Sequence, residues 1–249
     1  MKLIKQNFLL PLIIATILPS VSQADFIGAE ASAGAFLMNP TGYTSDSSDS
    51  IDFEDDLHWE KNENLILSAQ VEHPIPLLPN IKLDYLNITE NGEGLITQRV
   101  NYGGVTLMGA DYVVSDLKLN MTDATAYYEI LDNWISVDVG VTVRLMDMNL
   151  KLDTLTQGTI VKDVQTIVPM IYGKAQFDIP TTRFSVFAQT KYITADDNTL
   201  SDNALGARYV YGILGLEAGY RAINIDVKMD DTSVYADFNG FYGNLIVKF

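Results

Sequence analysis

Residues 135–145 read ISVDVGVTVRL. Ile135, Val137, Val139, Val141, Val143 and Leu145 are apolar, and Ser136, Asp138, Gly140, Thr142 and Arg144 between them are small or polar. Successive side chains of a strand point to opposite faces, so this run gives one wholly apolar face and one polar face.

The alternation recurs on both sides of that run. Leu65, Leu67, Ala69 and Val71 alternate with Ser68, Gln70 and Glu72, and Ile81, Leu83 and Tyr85 with Lys82 and Asp84. Phe184, Val186 and Ala188, then Leu205, Ala207 and Tyr209, then Leu214, Leu216, Ala218 and Tyr220, repeat it. Near 122–124, 221–223 and 239–241 the apolar face changes parity. A single-residue slip is what a β-bulge produces, so bulges are predicted there. The pattern predicts about ten strands, near 25–38, 64–73, 80–90, 115–130, 134–150, 161–178, 182–195, 202–212, 213–229 and 232–249. The weakest stretch is 91–114, which either extends the third strand or adds a hairpin, giving twelve strands; eight is the other alternative to ten. Connections after 73, 130, 178 and 212 read as short turns. Those after 38, 90, 150, 195 and 229 read as mostly longer polar loops.

A soluble sandwich also alternates, so the character of the polar face decides. That face carries Glu30, Glu72, Lys82, Asp84, Glu129, Asp138, Arg144, Lys174, Lys191, Arg208, Glu217 and Arg221, while the other is almost free of charge in mid-strand. A charge facing lipid at mid-depth costs ~2–4 kcal/mol for Lys or Arg and is kept off the outside. Phe26, Phe36, Trp134, Phe177, Phe184, Tyr192, Tyr211 and Phe249 sit near strand ends, as interfacial girdles do. The predicted fold is all-β: a transmembrane antiparallel up-and-down β-barrel over residues 25–249.

The ends fit this reading. MKLIKQNFLLPLIIATILPSVSQA, residues 1–24, has the positive start, short apolar core and small Ser22 and Ala24 of a secretion signal, with cleavage expected after Ala24. Phe241, Leu245, Val247 and Phe249 share one parity in FYGNLIVKF, which resembles the C-terminal sorting signal of Gram-negative outer-membrane proteins. The expected location is therefore the bacterial outer membrane, reached by the general secretory route.

Composition narrows the chemistry. The chain has no cysteine, which excludes thiol catalysis and cysteine metal sites. Without Lys2 and Lys5, 14 basic residues face 32 acidic ones, a net charge of −18. That argues against nucleic acid as a partner. The acidic stretch 39–64 contains Asp52, Asp55 and Asp56, weak candidates for a divalent cation, but their spacing matches no defined calcium loop. A short helical turn is expected there with Ser50 as N-cap and Phe53, Leu57 and His58 on one face. The plainer reading is a solvated loop. The two histidines, His58 and His73, fall at opposite ends of the barrel, neither beside a Ser or Asp at a recognisable spacing, so no catalytic residue and no cofactor is predicted.

Residues 72–80 read EHPIPLLPN and place Pro74, Pro76 and Pro79 in one turn. Proline cannot donate to a sheet ladder, so these lie outside the sheet. Ile75, Leu77 and Leu78 are predicted to tuck under the barrel or into the inner headgroup region. The block IDFEDDLHWEKNENLILSAQVEHPIPLLPNIKL, with Tyr102-Gly103-Gly104 and Tyr127-Tyr128, resembles a family of small proteobacterial outer-membrane β-barrel proteins. His58-Trp59 departs from the plain acidic helix of that family. The resemblance implies fold and location and carries no catalytic residues.

Ten strands leave little room inside. The expected lumen is plugged, with Glu30, Glu72, Asp84, Glu129, Asp138, Arg144, Arg208, Glu217 and Arg221 pairing across it; a narrow conduit is the competing reading. The predicted role is non-enzymatic: a structural membrane component or a passive route for small solutes. The alternative is a surface binding module using its acidic loops for cations, lipid headgroups or partners, and a membrane-embedded hydrolase or acyltransferase is less favoured. Expected partners are outer-membrane lipid and lipopolysaccharide, and the outer-membrane insertion machinery through the last strand, with the protein a monomer.

Overall fold

A computed structural model describes residues 28–249 except 47–48, 76, 98, 103–104, 108 and 230–231. The predicted secretion signal, Phe26 and Pro76 lie outside the described residues. The strands are β1 (Gly28–Asp46), β2 (Asp49–Asp52), β3 (Asn62–Glu72), β4 (Asn80–Ile96), β5 (Val100–Tyr102), β6 (Val105–Leu107) and β7 (Asp111–Asp132). They continue as β8 (Ile135–Thr154), β9 (Gly158–Asp178), β10 (Phe184–Ala195), β11 (Asn198–Tyr211), β12 (Leu214–Met229) and β13 (Thr232–Lys248).

Ten of these form the wall, in the order β1, β3, β4, β7 and on through β13, each antiparallel to its neighbour. β13 then pairs with β1, from Glu30 with Lys248 to Asp46 with Thr232, and closes the barrel. Two further backbone bonds join Ala29 and Phe249 below that ladder. The stretch 91–114 does both things considered for it. β4 runs on to Ile96, and β5 and β6 form a separate two-stranded hairpin off the wall, so the wall count stays at ten.

The parity changes have a different cause from the one predicted. Across 221–223 β12 keeps unbroken register with both neighbours, and so does β13 across 239–241. β7 does the same across 122–124; its only register shift lies at Glu129/Leu131. The wall is continuous and its polarity inverts. On β8 the outer face changes from Val141, Val143 and Leu145 to Asp147, Asn149 and Lys151, while the inner face changes from Thr142 and Arg144 to Met146, Met148, Leu150 and Leu152. β12 passes from Leu216 and Tyr220 outside to Asn224 and Asp226, and from Glu217 and Arg221 inside to Ile223 and Ile225.

The barrel therefore has two storeys. The lower is apolar outside and polar inside, as lipid requires. The upper is polar outside and apolar inside, as water requires. On β8 the apolar outer belt covers 135–145, about 35 Å of strand at ~3.3 Å per residue, which a tilt of ~40° brings to a height of about 25 Å. The segments predicted as long polar loops are largely upper-storey strands joined by tight turns, such as Leu155–Gln157. Phe36, expected in an aromatic girdle, is fully buried inside, where its ring meets the Arg221 guanidinium at 5.9 Å. Trp134 and Phe177 pack edge-on at the lower end of the outer face, with Phe184 against Tyr209 nearby.

The upper wall is uneven. β9 pairs with β10 only as far as Ile171 with Tyr192. Above that, on the β10 side, residues 158–170 of β9 have no strand partner among the described residues, and the β10–β11 hairpin has already turned. Pro169, which has no N–H to give, falls where this pairing stops.

Candidate functional site: the closed lumen

The lumen is crossed by one chain of ion pairs at the boundary between storeys. Register sets Asp84 of β4 directly opposite Asp123 of β7, and Asp123 opposite Arg144 of β8. The Lys191 ammonium, reaching across from β10, sits 2.8 Å from Asp84 and 2.6 Å from Asp123. Arg144 grips Asp123 through Nε and Nη2, both at 2.7 Å, and its Nη2 also reaches Asp202 of β11 at 2.5 Å. Arg221 binds Asp202 at both oxygens, at 2.8 and 2.7 Å. Lys82 ends the chain on Asp84 at 3.4 Å and on Gln189 at 2.9 Å. Bidentate arginine–carboxylate pairs are among the stronger and most directional hydrogen-bonded contacts. Signs alternate along the chain, so each buried charge has an opposite neighbour, the condition under which burying it is tolerable.

Below this layer Arg208 pairs with Glu30 and, at 3.0 Å, with Glu217, and Lys248 reaches Glu30 at 3.4 Å. A cavity of ≈ 80 Å³ lies among these groups, lined by Glu30, Gln70, Lys174, Arg208, Glu217 and Asn244. Nearer the lower mouth Tyr127 donates to Glu72 at 2.9 Å, Asp138 is buried, and Glu129 is exposed. Every lumen charge read from the sequence thus lies on the inner face. Sequence reading missed Asp123 and Asp202, each of which bridges two cations of the chain of pairs. Their signal was present: Asp123 shares parity with Thr125 and Tyr127, and Asp202 with Ala204, Gly206 and Arg208.

The upper mouth is stopped from within. After β2, residues 53–59 turn back into the barrel and bury Phe53, Leu57 and Trp59, with Ile51 behind them. Phe53 and Trp59 stack at 4.4 Å, and Trp59 Nε1 donates to Ser115 Oγ at 2.9 Å. The stopper lies so close to β4 that a Cβ on Gly92 would strike the Leu57 carbonyl, and one on Gly94 the Asp56 carbonyl. This corrects the solvated-loop expectation: the stretch is acidic but carries four apolar side chains that fill the upper core. Asp52, not Ser50, caps the turn, accepting from the N–H groups of Glu54 and Asp55 at 2.9 Å each. Asp56 accepts from the Asp52 N–H at 2.9 Å. Asp52 and Asp56 are thus occupied in shaping backbone, while Asp55 is exposed. Phe53 and Leu57 share the buried side; His58 does not, being exposed with its Nδ1 3.0 Å from the Glu93 carbonyl.

One carboxyl beneath the stopper has no cation. Glu90 of β4 is 1% exposed, on the inner face between Ile88 and Gly92. It bonds the Asn64 amide, and its Oε1 has no partner. Asn87 and Thr89 beside it already face outward above the apolar belt, so Glu90 lies outside the belt. Burial pushes its carboxyl up to about 7.

At the lower end EHPIPLLPN has a structural histidine. His73 N–H donates to Asn80 Oδ1 at 3.0 Å, its Nε2 lies 3.2 Å from the Pro79 carbonyl, and its Nδ1 accepts from the Ile75 N–H at 3.3 Å. That arrangement takes the tautomer protonated on Nε2. Of the two placements predicted for Ile75, Leu77 and Leu78, the tuck under the barrel does not occur. Leu77 is 90% exposed with φ 77°, and its carbonyl accepts from Tyr128 on the outer face at 2.9 Å. The Tyr128 bond anchors the turn on the outer face, so Pro74, Leu77, Leu78 and Pro79 are no plug.

A closed ten-stranded antiparallel barrel with an apolar belt, a polar lumen and its last strand paired to its first is the fold of outer-membrane β-barrels. No family model and no curated protein matches the chain. Among solved structures it is similar to the outer membrane protease OmpT from Escherichia coli, with 11% identity, 90% of this chain and 97% of that chain covered, and a TM-score of 0.58. The translocator domain of the autotransporter NalP from Neisseria meningitidis aligns at 12% identity over 88% of this chain and 87% of that one, TM-score 0.41. Ail, the attachment invasion locus protein of Yersinia pestis, aligns at 11% identity over 90% and 99%, TM-score 0.40. The likeness to OmpT is one of fold alone, and the other two superpose too loosely to add to it.

Proposed function

We propose that this chain is a non-enzymatic, non-conducting barrel of the bacterial outer membrane, delivered by the secretory route and closed by its C-terminal strand. The lower storey sits in lipid and the upper storey stands outside as a rigid acidic platform, giving a structural or surface-binding role. Lipid and lipopolysaccharide contact the belt, and the outward row Phe241, Leu245, Val247 and Phe249 meets the insertion machinery. Membership in the family with the EHPxPLLPN turn belongs to the same reading. The observation that carries it is the unbroken ion-pair chain from Lys82 to Arg221 lying directly beneath an apolar core. Ions would have to break buried bidentate pairs and then cross an apolar layer. A passive route for solutes would need both barriers to open. Planar-bilayer recording tests this: the purified barrel is expected to be silent, and steady unitary conductance would overturn the proposal.

A further inference from the structure

Glu90 is a costly residue where it stands. A carboxylate in an apolar core is strongly disfavoured unless a cation meets it, and a protonated carboxyl is not. No cation does. On β4 the nearest charge, Glu93, faces outward, as does Glu63 on β3; on β7, Asp116 and Lys118 lie on the outer face. In the stopper, Asp52 and Asp56 are held in its own turn, and Glu54, Asp55, His58, Glu60 and Lys61 are exposed. Glu90 sits one pleat below the clasp in which Trp59 donates to Ser115 and Ser115 donates to the Gly92 carbonyl. It is thus beside a part of the upper core that belongs to no strand, residues 53–59, and that the Trp59–Ser115 bond ties to the wall.

We propose that residues 53–59 are a plug operated by a proton on Glu90: held while the carboxyl is protonated, released when it ionises, and uncovering an apolar cup to the outside while the charged floor stays sealed. The sealed floor rests on the closed-lumen reading, which conductance tests separately.

The sign follows from linkage. With the plug out, water reaches Glu90 and its carboxyl returns towards the ordinary 4.5; with the plug in, it titrates at about 7. The closed form therefore holds its proton over a range where the open form has lost it, and closure weakens as pH rises from 4.5 to about 7, then levels off. That interval corresponds to about two orders of magnitude in the opening constant.

Trp59 and Trp134 are the chain's two tryptophans, so Trp134→Phe leaves Trp59 as the reporter. Acrylamide quenching of Trp59 is measured in the full folded barrel at about pH 4.5 and about pH 8, and is expected to rise about threefold. Glu90→Gln keeps the hydrogen-bonding shape without the charge, and Glu90→Met removes the polar group; both are expected to stay weakly quenched at either pH. Equal quenching at both pH values in the Trp134→Phe parent overturns the proposal. So does a rise that survives in Glu90→Gln or Glu90→Met.

Discussion

Lys191 stands between two carboxylates that the register sets face to face, Asp84 and Asp123. Like charges directly opposite across strands repel, and here they are also desolvated. One ammonium from the far wall reconciles them, and Arg144 and Arg221 do the same for Asp123 and Asp202. Removing one partner of a buried pair leaves an uncompensated charge, so Lys191→Met is expected to cost about 3–5 kcal/mol. The folded-to-unfolded shift on a gel with rising temperature measures it. Adding Asp84→Asn is expected to recover part of the loss, and a fully additive double variant would show that the two charges do not interact. Glu90 differs from these residues in having an amide, that of Asn64, and no cation beside it.

At the scale of elements, the EHPIPLLPN turn exchanges one expectation for another. With Leu77 and Leu78 exposed, Leu77→Ser with Leu78→Ser is expected to change unfolding stability in detergent by less than about 0.5 kcal/mol. A loss of several kcal/mol would mean that the turn packs beneath the barrel after all. Elements were legible in the sequence to the extent that polarity kept one sense. Ile135 to Leu145 was read correctly because its apolar side is its outer side throughout. Beyond Leu145 the alternation persists with the opposite sense, and the predicted strand ends at 150 whereas β8 runs on through Lys151 to Thr154. The same inversion looked like a bulge on β12 and hid Asp123 on β7. The 53–59 stopper was hidden by its composition: eight acids across the longer stretch 39–64 outweighed Ile51, Phe53, Leu57 and Trp59, which decide where it goes. Gly92 and Gly94 were its one local signal, since each opens room on the inner face of β4.

The whole molecule is one continuous wall crossing two solvents. Its charge layer coincides with the change: Arg144 is the last polar inner residue of β8 before Met146, and Arg221 the last of β12 before Ile223. The layer is roofed by apolar side chains above and opens on a polar chamber below, so each storey meets the face of the layer it can solvate. The uneven rim follows from the short β10–β11 hairpin, which leaves the upper edge of β9 bare. Lys162, Asp163 and Pro169 lie on that edge, charges and a proline of the kind that discourage stray pairing.

The central claim is that the outer face of one strand changes solvent between Leu145 and Asp147. Paired arginine substitutions on β8 test it most directly, with unfolding free energy measured in lipid vesicles. Val141→Arg lies in the belt and is expected to cost ~2–4 kcal/mol, whereas Asn149→Arg, on the same face four pleats higher, is expected to cost less than about 0.5 kcal/mol. Equal costs at the two positions would contradict the two-storey barrel.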